Sequence, residues 1–363
     1  MRWIPIMNCR PGMRLAKKIY NEEGMVLLQE QVEMTDTFIR RLIERDVSYI
    51  YVEDERTEGI VAPDLLSDET RIMANKTIRQ QFMRHMSDGR SRKRKHDHDF
   101  DATVSGMLDN LVHDISKHNK AMVMLNDIQT TDHYVFRHSL NVCVYTTLFG
   151  VYHGYARDDL KLLSMGALLH DVGKMHLDPL ILNKTSPLTK LEFDMIKMHA
   201  EYGYRILRED PNIPRVVAHC AYQHHERLNG SGYPRGLTSD NIHEFSKWIA
   251  IADSYDAMTT NRVYRPAMLP HEALEILYTG SGTLYEQWML SLFRDRIAVY
   301  PLGMSVKLST GEIGIVAEIN ANYPQRPIIR VLYDAEGASV PQGTELDLSQ
   351  LLHIMIVEMV DVE

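Results

Sequence analysis

Between residues 108 and 296 apolar positions recur at three- and four-residue spacing, stretch after stretch. Val112–Leu125, Phe136–Tyr152, Asp159–His170, Lys190–Leu207, Arg215–His225, Phe245–Met258 and His271–Leu277 each carry such a stripe, and turns rich in Gly, Pro, Asn and Ser separate them. A helical period repeated this way predicts about seven amphipathic helices closing one bundle. The two ends of the chain follow a different pattern. Met13–Tyr20 and Met25–Leu28 flank the turn signal Asn21-Glu-Glu-Gly24 and predict a hairpin, Thr35 or Asp36 is placed to cap a helix carrying Phe38, Ile39, Leu42 and Ile43, and Ser48–Val52 is β-prone. Near the other end, Val306–Leu308, Ile313–Ile319, Pro327–Tyr333 and Leu351–Val357 predict strands of a small barrel or sandwich, with turns at Ser309-Thr-Gly-Glu and Ala335-Glu-Gly. The expected fold is mainly α, a helical bundle with a small N-terminal α/β module and a small C-terminal β domain. The expected segments are 1–62, a helical and charged linker at 63–107, the helical domain at 108–300, and 301–363.

Inside the linker, Ser91-Arg-Lys-Arg-Lys-His-Asp-His-Asp99 runs from a basic block into an acidic one. It has no aromatics between its charges, so it is read as a solvated connection rather than a nucleic-acid or membrane contact, with His96 and His98 on the surface. The first 62 residues hold no phosphate-cradling loop, and their plainest role is docking or dimerisation, with ligand sensing as the other reading.

Composition narrows the class. With 44% hydrophobic and 25% charged residues the chain is an ordinary globular one. No apolar run approaches the roughly 18 residues of a membrane helix, and the start, MRWIPIMNCRPGMR, is too short and proline-broken for a signal peptide. The expectation is a cytoplasmic protein. Three cysteines, Cys9, Cys143 and Cys220, make no disulfide framework. Forty Lys and Arg against 49 Asp and Glu give a net charge of −9, a poor match for DNA, so an anionic substrate requires local positive charge.

Seventeen histidines suggest where that charge comes from. Candidate metal ligands recur through the helical domain in the order His138, His170-Asp171, His199, His224-His225 and Asp253, several inside apolar stretches such as Leu162–Leu169 and Trp248–Ala252. An ionised carboxylate in such surroundings needs a cation or a hydrogen-bonding partner. One such histidine is most simply a hydrogen-bonded core residue, but seven ligands in this order are not. Neighbours on a helix diverge by about 100°, so each adjacent pair can serve two neighbouring ions. Five imidazoles and two carboxylates exceed one coordination sphere and suit transition metals such as iron or manganese. Cys220 is read as core packing.

The runs His138-Ser-Leu-Asn-Val, Leu168-Leu-His-Asp-Val-Gly-Lys174, His224-His-Glu-Arg-Leu-Asn-Gly-Ser-Gly-Tyr-Pro234 and Ile251-Ala-Asp-Ser-Tyr-Asp-Ala-Met258 resemble the HD-GYP family, HD-domain metal phosphohydrolases associated with cyclic di-GMP turnover in bacterial second-messenger signalling. The match covers about half of the chain. The resemblance implies that His138, His170, Asp171, His199, His224, His225 and Asp253 bind metal, with Asp171 bridging. It places Lys174 beside the scissile phosphate, which also fits its position three residues after Asp171 if the helical turn continues. It further implies that Gly232, Tyr233 and Pro234 close over the substrate, and that Arg262 and Arg265 hold phosphate and guanine. Family members with three metals carry a glutamate four residues before the first histidine; Tyr134 stands there and Asp132 lies on another face, so two divalent ions are expected. Asn229 replaces a common aspartate and keeps a turn-forming side chain, with little effect expected.

The expected activity is metal-dependent hydrolysis of cyclic di-GMP to linear pGpG, with GMP a further product if pGpG rebinds. Two rivals stand beside it. One is a catalytically silent cyclic-dinucleotide-binding or protein-interaction module, contacting signalling partners through the Gly-Tyr-Pro loop or the N-terminal module. The other is a general HD nucleotidase acting on mononucleotides. No DNA and no membrane are expected as partners, and the helices around the linker allow a homodimer.

Overall fold

The computed structural model describes every residue except 22, 46, 87–97, 118–133, 261–266, 342 and 361–363, and the side chains of 85, 86, 98–102 and 134. The described chain divides into two compact units, one from Met1–Leu65 with Arg294–Glu363, the other from Leu66–Asn119 with His133–Phe293.

In the first unit, β1 (Arg2–Pro5) pairs antiparallel with β4 (Tyr49–Val52), in register Trp3 to Tyr51. The expected hairpin is β2 (Ile19–Tyr20) against β3 (Val26–Leu28), turned where Asn21 Oδ1 accepts from the Glu23 and Met25 amides. Helix α1 (Asp36–Ile43) starts at Thr35, whose hydroxyl accepts from the Phe38 amide. Of the expected barrel or sandwich, the C-terminal segment is not a two-sheet sandwich but one antiparallel sheet of β5 (Ser305–Leu308), β6 (Ile313–Glu318), β7 (Ile328–Tyr333), β8 (Glu345–Asp347) and β9 (Ile356–Met359), in the order β8-β7-β6-β5-β9. The last strand lies further along the chain than Leu351–Val357, because Leu351–His353 form a turn in which the Ile354 amide donates to the Leu351 carbonyl. Segments far apart in sequence are joined here by hydrogen bonds: the Trp3 amide donates to the Gly303 carbonyl at 2.8 Å, and the Arg330 guanidinium donates to the Glu58 carbonyl at 2.7 Å. Ile60, Ile315 and Leu332 pack together between them.

The second unit is helical: α2 (Asp68–Met86), α3 (His98–Lys117), α4 (Tyr134–His153), α5 (Arg157–Leu169), the short α6 (Pro179–Leu182), α7 (Lys190–Glu209), α8 (Arg215–Gln223), α9 (Glu244–Thr259), α10 (Pro270–Thr279) and α11 (Gln287–Arg294). The helix expected at 112–125 begins earlier, at His98, and its expected last residues lie outside the described ones. Buried rings of Phe149, Trp248, Tyr255 and Phe293 form the apolar centre, with Phe149 and Phe293 4.6 Å apart. Helix α7 carries a capping box, Thr189 with Glu192. The start of α2 is held from α3, where Asp114 accepts from the Ser67 amide and hydroxyl at 3.0 and 2.8 Å. Among the described residues no helix is long and apolar enough to cross a membrane.

Candidate metal centre

The seven predicted ligands converge, from five segments of the helical unit. His138 lies in the second turn of α4, His199 at mid-α7 and Asp253 on α9. The two adjacent pairs are not within helices: α5 stops at Leu169 and α8 at Gln223, so His170-Asp171 and His224-His225 sit just beyond helix ends. Lys174 is not one α-helical turn from Asp171 either. Asp171 precedes a 3-10 turn, Val172–His176, whose three-residue repeat sets residues three apart on one face, and the Lys174 ammonium meets the Asp171 carboxylate. Gly173 permits this turn, since a Cβ there would lie 2.0 Å from the carbonyl oxygen of His199.

Asp171 is the hub. Its Oδ2 faces His138 Nε2 and His170 Nε2 at 3.4 and 3.3 Å, while Oδ1 faces His199 Nε2 and His224 Nε2 at 3.4 and 3.8 Å. Two candidate ligand groups result, His138-His170-Asp171 and Asp171-His199-His224-His225, sharing this carboxylate. Asp253 adjoins both through His138 Nε2 at 3.1 Å and His225 Nδ1 at 3.7 Å.

Three imidazoles have their tautomer set by main chain. Nδ1–H of His170 donates to the Ala167 carbonyl, that of His199 to Ile196, and that of His224 to Ala221, at 2.7, 2.6 and 2.9 Å, which leaves Nε2 of each as a lone pair. The Nε2 atoms of His199 and His224 stand 3.2 Å apart, and buried His170 Nε2 and Asp171 Oδ1 have no hydrogen-bond partner. Lone pairs facing one another in a buried site are unfavourable unless a cation lies between them, so the donor set fits divalent metal.

The electrostatics of Asp171, Asp253, His199, His224 and His225 agree, and His138 departs from them. Burial would raise the Asp171 carboxyl, but the adjoining Lys174 ammonium holds it well below the ordinary carboxylate range. Asp253 is likewise held low, against burial, chiefly by the hydrogen bond from His138. Burial brings His199 down to about 4 and lowers His224 and His225 strongly, so these imidazoles are neutral at pH 7, the form in which they could bind metal. For His138 burial acts downward, yet hydrogen bonds with Asp253 and Asp256 carry it up to about 9.

Asp256 was not anticipated from the sequence. It accepts from His138 Nδ1 at 2.7 Å and from Asn141 Nδ2 at 2.8 Å, a carboxylate behind a ligand histidine that fixes the ring. Its position one helical turn after Asp253, and that of Asn141 three residues after His138, is the signal that could have found both.

The loop after His225 folds back over the centre. The Tyr233 amide donates to the His225 carbonyl at 3.2 Å, and its ring stacks on the His225 imidazole. A Cβ at Gly232 would lie 2.4 Å from the Arg227 nitrogen, so only glycine allows this approach. Pro234 follows through a cis peptide bond. Asn229 forms the turn expected of it, accepting from the Ser231 amide and hydroxyl. Buried Cys220 packs on Gly166 rather than joining the ligands, and burial pushes its thiol up to about 12. Arg262, Arg265, Asp132 and the Tyr134 side chain, all singled out above, lie outside the described residues, as does His96.

Residues 146–287 match the family model described as an HD domain, and residues 305–363 one described as a KOW domain associated with HD domain. A cyclic di-GMP phosphodiesterase of Pseudomonas aeruginosa is 29% identical over 66% of this chain and 58% of its own length. A 3'3'-cGAMP-specific phosphodiesterase of Vibrio cholerae is 38% identical over 46% of this chain and 36% of its own. A cyclic di-GMP phosphodiesterase of Thermotoga maritima is 39% identical over 36% of each. The chain thus spans well under two thirds of the length of these curated relatives. Among solved structures, an HDG"Y"P protein from Bdellovibrio bacteriovorus superposes with a TM-score of 0.50 over 81% of this chain and 98% of its own at 15% identity, a likeness of fold.

Proposed function

We propose, from the match of residues 146–287 to an HD domain and the arrangement of the ligand groups, that this chain is a cyclic-dinucleotide phosphodiesterase of the HD-GYP kind, opening cyclic di-GMP to linear pGpG and taking pGpG on to GMP when it rebinds. The observation that carries the reading is Asp171, with one oxygen toward His138 and His170 and the other toward His199 and His224. Such a carboxylate suits two divalent ions, iron or manganese, held by these residues with His225 and Asp253. When bound, the metals supply Lewis acidity and a water of lowered pKa.

The protein's own groups do the remainder. Lys174, beside Asp171, places an ammonium where charge develops on the phosphate oxygens and can pass a proton to the departing 3′-oxygen. Asp256 holds His138 through Nδ1, directing Nε2 into the centre. Tyr233, with Gly232 and Pro234, covers the His225 side and offers a ring to a base. Arg262 and Arg265 are assigned the second phosphate and a guanine. These cations reconcile a dianionic substrate with a protein of net charge −9.

The test is anaerobic purification, metal content by mass spectrometry, and chromatography of products from cyclic di-GMP on the same sample, with 3'3'-cGAMP and plain mononucleotides in parallel. About two iron or manganese ions per chain with linear product are expected. Metal without turnover would support the silent binding module, and equal turnover of mononucleotides a general nucleotidase. Faster cleavage of 3'3'-cGAMP would move the substrate to the mixed dinucleotide.

A further inference from the structure

Glu226 follows the ligand pair His224-His225 directly and is 2% exposed. Its carboxylate turns to the far side of the covering loop. Oε1 accepts from the Arg235 amide and Oε2 from the Leu237 amide, both at 2.8 Å. A buried carboxylate carrying two charge-assisted bonds to main-chain N–H groups is a strong and directional tie. Between its two ends lies the segment that holds Tyr233. That segment is also fixed at its near side by the Tyr233 amide on the His225 carbonyl and by the Gly230 amide on the Arg227 carbonyl. Arg227 in turn donates to the His224 and Glu226 carbonyls. One residue therefore joins the main chain of the ligand pair to the returning limb of the loop.

We infer that Glu226 is a positioning residue, which sets the register between the metal ligands and Tyr233 for a substrate that extends beyond the reacting phosphate. The inference rests on the cyclic-dinucleotide reading above for the identity of that substrate, whereas the clamp itself stands on the two hydrogen bonds. Glutamine at 226 has the same shape, but its NH2 group would face one of the two amides, donor against donor, and leave that amide unsatisfied.

The experiment is Glu226→Gln in the metal-loaded full chain, read first by amide hydrogen exchange. Exchange over residues 230–238 is expected to rise roughly 5- to 100-fold, with the segments around His138 and His199 unchanged and metal content retained. The second reading is kinetic. KM for cyclic di-GMP rises, while turnover of bis(p-nitrophenyl) phosphate, too small to need Tyr233, stays as in the parent. Glu226→Asp, which keeps the charge and loses reach, should fall between the two and serves if the glutamine variant does not fold. Unchanged exchange at 230–238 would overturn the clamp, and so would an equal fall in both turnovers, since that places Glu226 in the metal centre. If the parent protein leaves cyclic di-GMP intact, the proposed substrate fails, while exchange and bis(p-nitrophenyl) phosphate still judge Glu226.

Discussion

Tyr233 and His225 are stacked, ring centroids 4.6 Å apart and planes 29° from parallel, and the same two residues share a main-chain hydrogen bond. The ring that covers the centre is therefore seated on one of the candidate ligands. The Lys197 ammonium lies 5.8 Å from the Tyr233 ring centroid, within cation–π range. Tyr233→Ala is expected to raise KM for the cyclic dinucleotide roughly 2- to 10-fold with metal content unchanged. Tyr233→Phe keeps the ring and should stay near the parent. Steady-state kinetics with metal analysis on both variants checks the pair.

Asp171→Ala removes the one carboxylate that both ligand groups share, and should abolish metal loading and turnover together. Arg262→Ala, by contrast, should weaken substrate affinity with metal content unchanged. Full activity in Asp171→Ala protein would remove the basis of the site assignment.

Behind the ligands, Asp256→Asn should lower metal affinity or turnover by roughly 10- to 100-fold, the usual effect of losing the carboxylate that orients a ligand histidine. Competition with a chromogenic chelator measures it. An unchanged affinity would make Asp256 a packing residue only.

Gly173→Ala places a methyl where the His199 carbonyl oxygen already lies, with backbone rather than a flexible side chain as the obstacle. A loss of about 1–3 kcal/mol is expected, seen as a lower thermal midpoint of the metal-free protein.

Asp114, on α3 and not among the candidate ligands, gives a pH-dependent prediction. Burial would raise its carboxyl, but the hydrogen bonds from Thr70 and Ser67 lower it below the ordinary value. A carboxylate with a depressed folded pKa adds stability above its unfolded value, about 3.9, and that stability is lost as pH falls through the folded value. Asp114→Asn should therefore destabilise by about 1–2 kcal/mol at pH 7. The difference from the parent should shrink in melts taken near pH 3.

The convergence of the candidate ligands and most helices were legible in the sequence because both signals are local. His138, His170, Asp171, His199, His224, His225 and Asp253 stand out as polar residues inside or beside apolar stripes, and the stripes at 136–152, 159–170 and 190–207 end within a few residues of α4, α5 and α7. What was missed depends on contacts distant in sequence. The spacing of Asp256 from Asp253 puts it on the right helix face, but its pairing with His138, 118 residues away, is a tertiary contact. Nothing in Trp3 announces Gly303. The apolar run at 351–357 reads as a strand, but a turn at Leu351–His353 uses its first residues. The 3-10 turn at Val172–His176 is set by a close approach to α7 that no local pattern carries.

His170, His199 and His224 all lean on a carbonyl three residues back in their own chain segment. Each Nδ1 is thus held by main chain rather than by a side chain, so the setting of these three tautomers depends on the helix beneath each histidine keeping its pitch. Fraying at the end of α5 or α8 would release an Nδ1 proton donor and let the ring turn. Ligand affinity in this centre is thereby tied to how firmly two helix ends hold, and a substitution that merely loosens the last turn of α8 would be felt as lost metal before it was felt as lost fold.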